Sequence, residues 1–158
     1  MGWHRRLIIA GAACCAALAL PAAAFEVSLP VACTPGADCF VQNYVDRDPG
    51  PDASDYRCGS QAYDGHKGTD FRLPSLVEMQ DGVAVLAAAD GTVRGRRDGM
   101  QDTLFDPDNP TTVEGRECGN GVVIDHGDGW ETQYCHMKRG SVRVAEGASV
   151  KAGDPIGE

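Results

Sequence analysis

An excess of basic side chains is missing from this chain: 14 Lys and Arg stand against 23 Asp and Glu, a formal net charge of −9. That balance excludes the basic face a nucleic-acid binder needs. It also excludes the polybasic patch of a protein held at an anionic membrane. No apolar run is long enough to span a bilayer: Leu7 to Leu20 gives about 14 residues where a spanning helix needs roughly 20. No helix-period stripe of useful length follows that run, which argues against a helical bundle. A C-x-x-C pair is also absent, and with it the usual Cys-rich zinc site.

The amino terminus has the features of an export signal. Trp3-His4-Arg5-Arg6 is a basic start, Leu7 to Leu20 an apolar stretch, and Pro21-Ala22-Ala23-Ala24 a set of small residues suited to cleavage. We expect a signal over residues 1–24, cut after Ala24, with an uncleaved anchor as the alternative. Gly11-Ala12-Ala13 before Cys14 matches a lipobox only loosely. The mature chain is then expected in the periplasm or the extracellular cell envelope, with no stable membrane insertion after cleavage. In such an oxidising compartment Cys33, Cys39, Cys58, Cys118 and Cys135 should be bridged. Their number is odd, so one is free or has its partner elsewhere. A Cys39–Cys58 bridge would staple the loop-rich segment that follows the signal. Cys118–Cys135 would join neighbouring strands, but a simple hairpin puts Cys135 near Val122, so this pairing needs a bulge or a folded-back loop.

Twenty Gly and nine Pro favour turns and short strands, and the predicted fold is all-β, mainly antiparallel sheet. Residues 25–60, rich in Pro, Gly and Asp, read as an irregular, extended, Cys-containing lead-in. Residues 61–158 read as the β-sheet domain. Val83 to Leu86 and Gly91 to Val93 are predicted strands. Gly121 to Asp125 and Glu131 to Cys135 are predicted to form a hairpin closed by Gly127-Asp128-Gly129. Arg97 to Glu117, with Asp106-Pro107-Asp108-Asn109-Pro110, is a predicted surface loop. The closing repeat of Val144, Gly147, Val150, Gly153, Ile156 and Gly157 suits short strands and tight turns at a sheet corner. Directly after it comes Glu158, where the sheet is expected to continue.

Few residues can carry chemistry. His66 and Asp70 lie four apart. On an extended strand that spacing separates them by ~13 Å, and Gly65 and Gly68 disfavour a helix. A bent loop holding His66, followed by a strand that begins near Asp70, would let both reach one metal ion. The alternative is a surface His beside a turn Asp. In Tyr134-Cys135-His136 the first and third side chains share one strand face, so His136 is a candidate catalytic group, or else an exposed strand His. His126, at the end of its strand, reads as a turn or supporting residue.

Together these pieces resemble the M23 metallopeptidases, the lysostaphin-like or LytM-like endopeptidases that cut peptidoglycan. The matching stretches are Gly65 to Phe71, Ala88 to Val93, Gly119 to Gly127, Tyr134 to Met137, and the Val/Gly repeat. The resemblance implies zinc (Zn2+) held by His66 and Asp70, catalytic assistance from His136, and peptidoglycan peptides as substrate in a groove across an antiparallel sheet. The family's third zinc ligand, and a second catalytic His, belong to a His-x-His motif after the Val/Gly repeat. Residues 1–158 contain no such motif, so the domain is expected to be incomplete at its carboxyl end and, as this segment alone, to bind zinc weakly and cut little. A non-catalytic relative that binds cell wall or regulates a cell-wall amidase is the alternative. The Val/Gly repeat also occurs in lipoyl and biotinyl carriers, but these need a Lys at a hairpin tip, and Gly127-Asp128-Gly129 supplies none.

Overall fold

The computed structural model describes residues 24–104, 106, 108 and 113–158. Residues 1–23 of the expected signal peptide and much of the loop around Asp106 to Pro110 lie outside those residues. The regular structure among the described residues is mostly antiparallel strand, with a single short helix, as the all-β expectation required. In order they are β1 (Phe40–Asn43), β2 (Asp70–Arg72), the short helix α1 (Leu76–Asp81), β3 (Val85–Leu86), β4 (Gly91–Arg97), β5 (Asn120–Asp125), β6 (Glu131–Met137), β7 (Ser149–Val150) and β8 (Pro155–Gly157). Strands β6-β5-β4-β7 form one sheet, while β1-β2 and β3-β8 form two smaller ones.

The main sheet is built on β-branched residues with one face inward. Val93 of β4, Val122 and Ile124 of β5, and Tyr134 and Met137 of β6 are buried together, and burying such a side chain is worth about 1.5–3 kcal/mol. The Val/Gly repeat closes this core. Val150 pairs with Gly91, Ile156 is fully buried, and the repeat's backbone bonds Val93 and Ala87, with Gly147 N–H donating to Val93 O and Gly153 N–H to Ala87 O. Strand β3 is shorter than the expected Val83 to Leu86, covering only Val85–Leu86, and Ala84 O instead accepts from Ala32 N–H of the preceding segment. Helix α1 buries none of its residues and rests on its cap, with the Ser75 side chain accepting from Val77 N–H and contacting Glu78.

The β5–β6 hairpin forms with Asp125 opposite Glu131 and Val122 opposite Tyr134. The sheet then bulges: the next pair is Asn120 with Met137, so Gly121 faces both Cys135 and His136. A Cβ at Gly121 would collide with Tyr134 O and lie 3.1 Å from Cys118 Sγ, so only glycine fits there. The bulge gives His136 a φ of 59° and brings Cys118 and Cys135 together as a disulfide, the folded-back geometry that this pairing needed.

The other cysteine expectation is overturned. Cys39 bonds Cys33, and Cys58 is free and exposed. Local turns decide both outcomes. Thr34 O accepts from Ala37 and Asp38 N–H, and Gly36 N–H returns to Cys39 O, which closes a turn that sets the Cys33 and Cys39 Cα atoms 6.0 Å apart. The buried Asp55 carboxylate collects N–H groups from Arg57, Gly59 and Gln61, and Cys58, at φ 59°, turns outward on that loop. These N–H donors hold the Asp55 carboxyl below its ordinary value, the Gly59 bond most strongly and the Arg57 bond next.

The segment after the expected signal is more ordered than its composition suggests. It runs along β3, with Leu86 N–H donating to Pro30 O and Ser28 N–H to Ala88 O, and then contributes β1 as partner to β2.

Candidate metal centre

His66 ends a turn in which its own N–H donates to Tyr63 O, with Gly65 at φ 73°, in the left-handed region. Asp70 opens β2. This loop-then-strand arrangement brings the two side chains together, with His66 Nε2 3.2 Å from Asp70 Oδ1. His66 is 9% exposed, with the Tyr63 ring stacked on its imidazole at 4.4 Å. Burial, and after it the Asp70 charge, push the Tyr63 phenol above its ordinary value.

Proton bookkeeping makes this pair unusual. His66 Nδ1 lies 2.8 Å from Tyr44 O, and a carbonyl has no proton to give, so Nδ1 carries the hydrogen. In the neutral ring, Nε2 then presents a lone pair to a carboxylate, which as an anion also has none to give. Two acceptors at 3.2 Å repel unless a cation, either a second proton or a metal ion, sits with them. The donor set suits zinc. Two ligands each about 2.0–2.1 Å from a tetrahedral zinc stand about 3.3 Å apart, and a metal-binding His ordinarily gives its other N–H to a carbonyl or carboxylate.

His126 follows the opposite logic. Its Nδ1 bonds Asp90 O at 2.7 Å and its Nε2 meets Thr132 Oγ1 at 2.7 Å. Thr132 Oγ1 lies 2.9 Å from Tyr134 Oη, which accepts from Ala88 N–H at 2.7 Å. Both ring nitrogens are engaged, and the ring braces β4 against the hairpin. Gly91 makes room for it: a Cβ there would lie 2.5 Å from Asp125 O and 2.8 Å from His126 Nδ1.

His136 is exposed on β6, and its imidazole makes no hydrogen bond among the described residues. It does not join His66 and Asp70 in a three-ligand cluster, nor does any other His, Cys, Asp or Glu among those residues. Cys33, Asp38 and Cys39 do cluster, but the two sulfurs are bonded to each other and offer no thiolate.

Sequence reasoning missed Asn43, Tyr44, Asp46 and Tyr63, all of which touch the His66–Asp70 pair or its loop. The β-prone Phe40-Val41 beside Gln42-Asn43 was the available signal, obscured by the Pro, Gly and Asp that follow.

No curated protein and no solved structure matches this chain significantly. The sequence model of peptidase family M23 matches residues 64–158, a span that begins just before His66 and takes in the whole main sheet, and the chain therefore belongs to peptidase family M23.

Proposed function

We propose that this protein is an exported, zinc-dependent endopeptidase that hydrolyses peptide bonds of peptidoglycan. The observation that carries the reading is the convergence of His66 Nε2 and Asp70 Oδ1 to 3.2 Å with His66 Nδ1 held by Tyr44 O, a spacing that two ligands of one zinc ion would have. Family membership supports peptidase chemistry. The two disulfides fit an oxidising compartment, the periplasm or the extracellular envelope, where that substrate lies. Among the described residues no helix is long and apolar enough to cross a membrane.

In this reading His66 and Asp70 hold the metal, and Tyr44 O fixes the imidazole so that Nε2 points at it. Bound zinc supplies a water of lowered pKa and Lewis-acid polarisation of the scissile carbonyl. His136 has a free, exposed imidazole on a strand that faces solvent, suited to donating a hydrogen bond to a developing oxyanion. Catalytic zinc takes three protein ligands, and a third donor must complete the pair.

A second reading rests on the count of donors: only His66 and Asp70 converge among the described residues, which suits a non-catalytic member that binds cell wall. One experiment separates the two. The full-length gene product is purified, its zinc is measured, and it is incubated with sacculi. We expect near-stoichiometric zinc and release of soluble peptides, both lost in His66→Ala. Sacculus binding without hydrolysis and without zinc would establish the non-catalytic reading instead.

A further inference from the structure

The segment that orients the His66–Asp70 pair lies outside residues 64–158, where the family model matches. Strand β1 pairs with β2 through Phe40 with Arg72 and Val41 with Phe71, and a bulge at Gln42 then sets Asn43, not Gln42, opposite Asp70. A regular ladder would place Gln42 there. The extra residue re-aims the strand, and Asn43 Nδ2 donates to Asp70 Oδ2 at 3.0 Å. With Oδ2 occupied, Oδ1 is the oxygen turned to His66 Nε2.

The next residues grip the histidine itself. Tyr44 O takes the ring's Nδ1–H at 2.8 Å. Asp46 N–H donates to His66 O at 2.8 Å, and the Asp46 carboxylate accepts from Gly65 N–H at 2.9 Å through Oδ2 and from Asp48 and Ser54 N–H through Oδ1. Within four residues, one strand end fixes the ring orientation, the carboxylate orientation and the loop between β1 and β2.

We propose that Asn43 is a positioning residue for the metal centre, aimed by the β1 bulge, and that it selects which Asp70 oxygen faces the ion. Asn43 does not touch the ion or the reacting atoms; it acts through Asp70. The inference rests on the zinc reading above. Losing a group that orients a metal-bound carboxylate typically costs 10–100-fold in metal affinity.

The test measures Zn2+ affinity of the full-length gene product by competition with a chromophoric chelator, alongside thermal unfolding of the metal-free protein. Asn43→Ala and the similarly sized Asn43→Leu should each weaken zinc binding about 10–100-fold while the metal-free protein unfolds near the wild-type temperature. Gln42→Ala, at the exposed neighbouring residue, should leave affinity within about two-fold, well below the effect of an orienting group. With zinc bound at saturation, imidazole 15N shifts in the wild type and in both Asn43 variants should show the ring proton on Nδ1, as the Tyr44 carbonyl requires. Wild-type zinc affinity in both Asn43 variants, with zinc lost in His66→Ala, would overturn the positioning role and leave the metal site standing. Loss of folding in both variants would also overturn it, because Asn43 would then be a structural residue. If the wild type binds no zinc, the metal reading falls and the positioning role falls with it.

Discussion

Two histidines in this fold begin with the same bond and end differently. His66 and His126 each give Nδ1–H to a backbone carbonyl, Tyr44 O at 2.8 Å and Asp90 O at 2.7 Å. Each then turns Nε2 to a side-chain oxygen, at 3.2 Å for His66 and 2.7 Å for His126. At His126 that oxygen is the Thr132 hydroxyl, which can donate. A proton order running from Ala88 N–H through Tyr134 Oη and Thr132 Oγ1 to Nε2 satisfies every atom of a neutral ring. At His66 the oxygen belongs to a carboxylate, which has nothing to donate. The His126 network is closed without help; the His66 pair is complete only with a cation. The difference between the two imidazoles comes down to a single partner, hydroxyl at His126 and carboxylate at His66.

The sharpest way to break that contrast is to give His66 a donor. Asp70→Asn can rotate its amide so that the NH2 faces Nε2 while the amide oxygen still accepts from Asn43 Nδ2. We expect zinc affinity to fall by about a hundred-fold or more, beyond what loss of an orienting group costs, as a ligand is lost. The metal-free variant should unfold near the wild-type temperature, since the amide can still hydrogen-bond both Nε2 and Asn43 Nδ2. Chelator competition and calorimetry read the two effects separately. If Asp70→Asn holds zinc like the wild type, the carboxylate is not a ligand.

The reverse substitution belongs at the other histidine. His126→Ala removes the ring that links Asp90 O to Thr132 and leaves its neighbours without partners. Two hydrogen bonds are lost, one exposed and one partly buried, each worth about 0.5–1.5 kcal/mol, and Phe25, 5.3 Å from the ring, loses a packing surface. Denaturant unfolding should show a destabilisation of about 2 kcal/mol, while zinc affinity stays as in the wild type. A change in zinc affinity would show that the two corners are coupled and that His126 is more than a brace.

What could be read from the sequence follows the range of the interactions. The β5–β6 hairpin was visible because β-branched residues and the Gly127-Asp128-Gly129 turn are local signals, and the observed strands Asn120–Asp125 and Glu131–Met137 extend the expected ones by a residue or two. The loop at His66 and strand start at Asp70 followed from spacing and two glycines. Asn43 and Tyr44 did not follow, because their meaning comes from contacts 27 and 22 residues away. The β1 bulge that aims Asn43 has no local signature. The Cys39–Cys58 pairing fails for a related reason: the turn over Thr34 to Asp38 depends on backbone bonds that composition does not encode, and the shorter loop, to Cys33, won.

The smallest expected effect tests the contrast most directly. Thr132→Val keeps the shape and β-branching of the side chain and removes only the hydroxyl. His126 Nε2 and the Oη of the buried Tyr134 then lose their shared partner, while Ala88 N–H still finds Tyr134. The two hydrogen bonds lost at this partly buried position together cost about 1 kcal/mol, each at the low end of the usual range, and Thr132→Ser, which keeps the hydroxyl, should recover most of it. Zinc affinity should not move in either variant. If Thr132→Val is as stable as the wild type, the hydroxyl is not what closes the His126 network. The chemical distinction between the two imidazoles would then have to rest on the carboxylate side alone, where Asp70→Asn probes it.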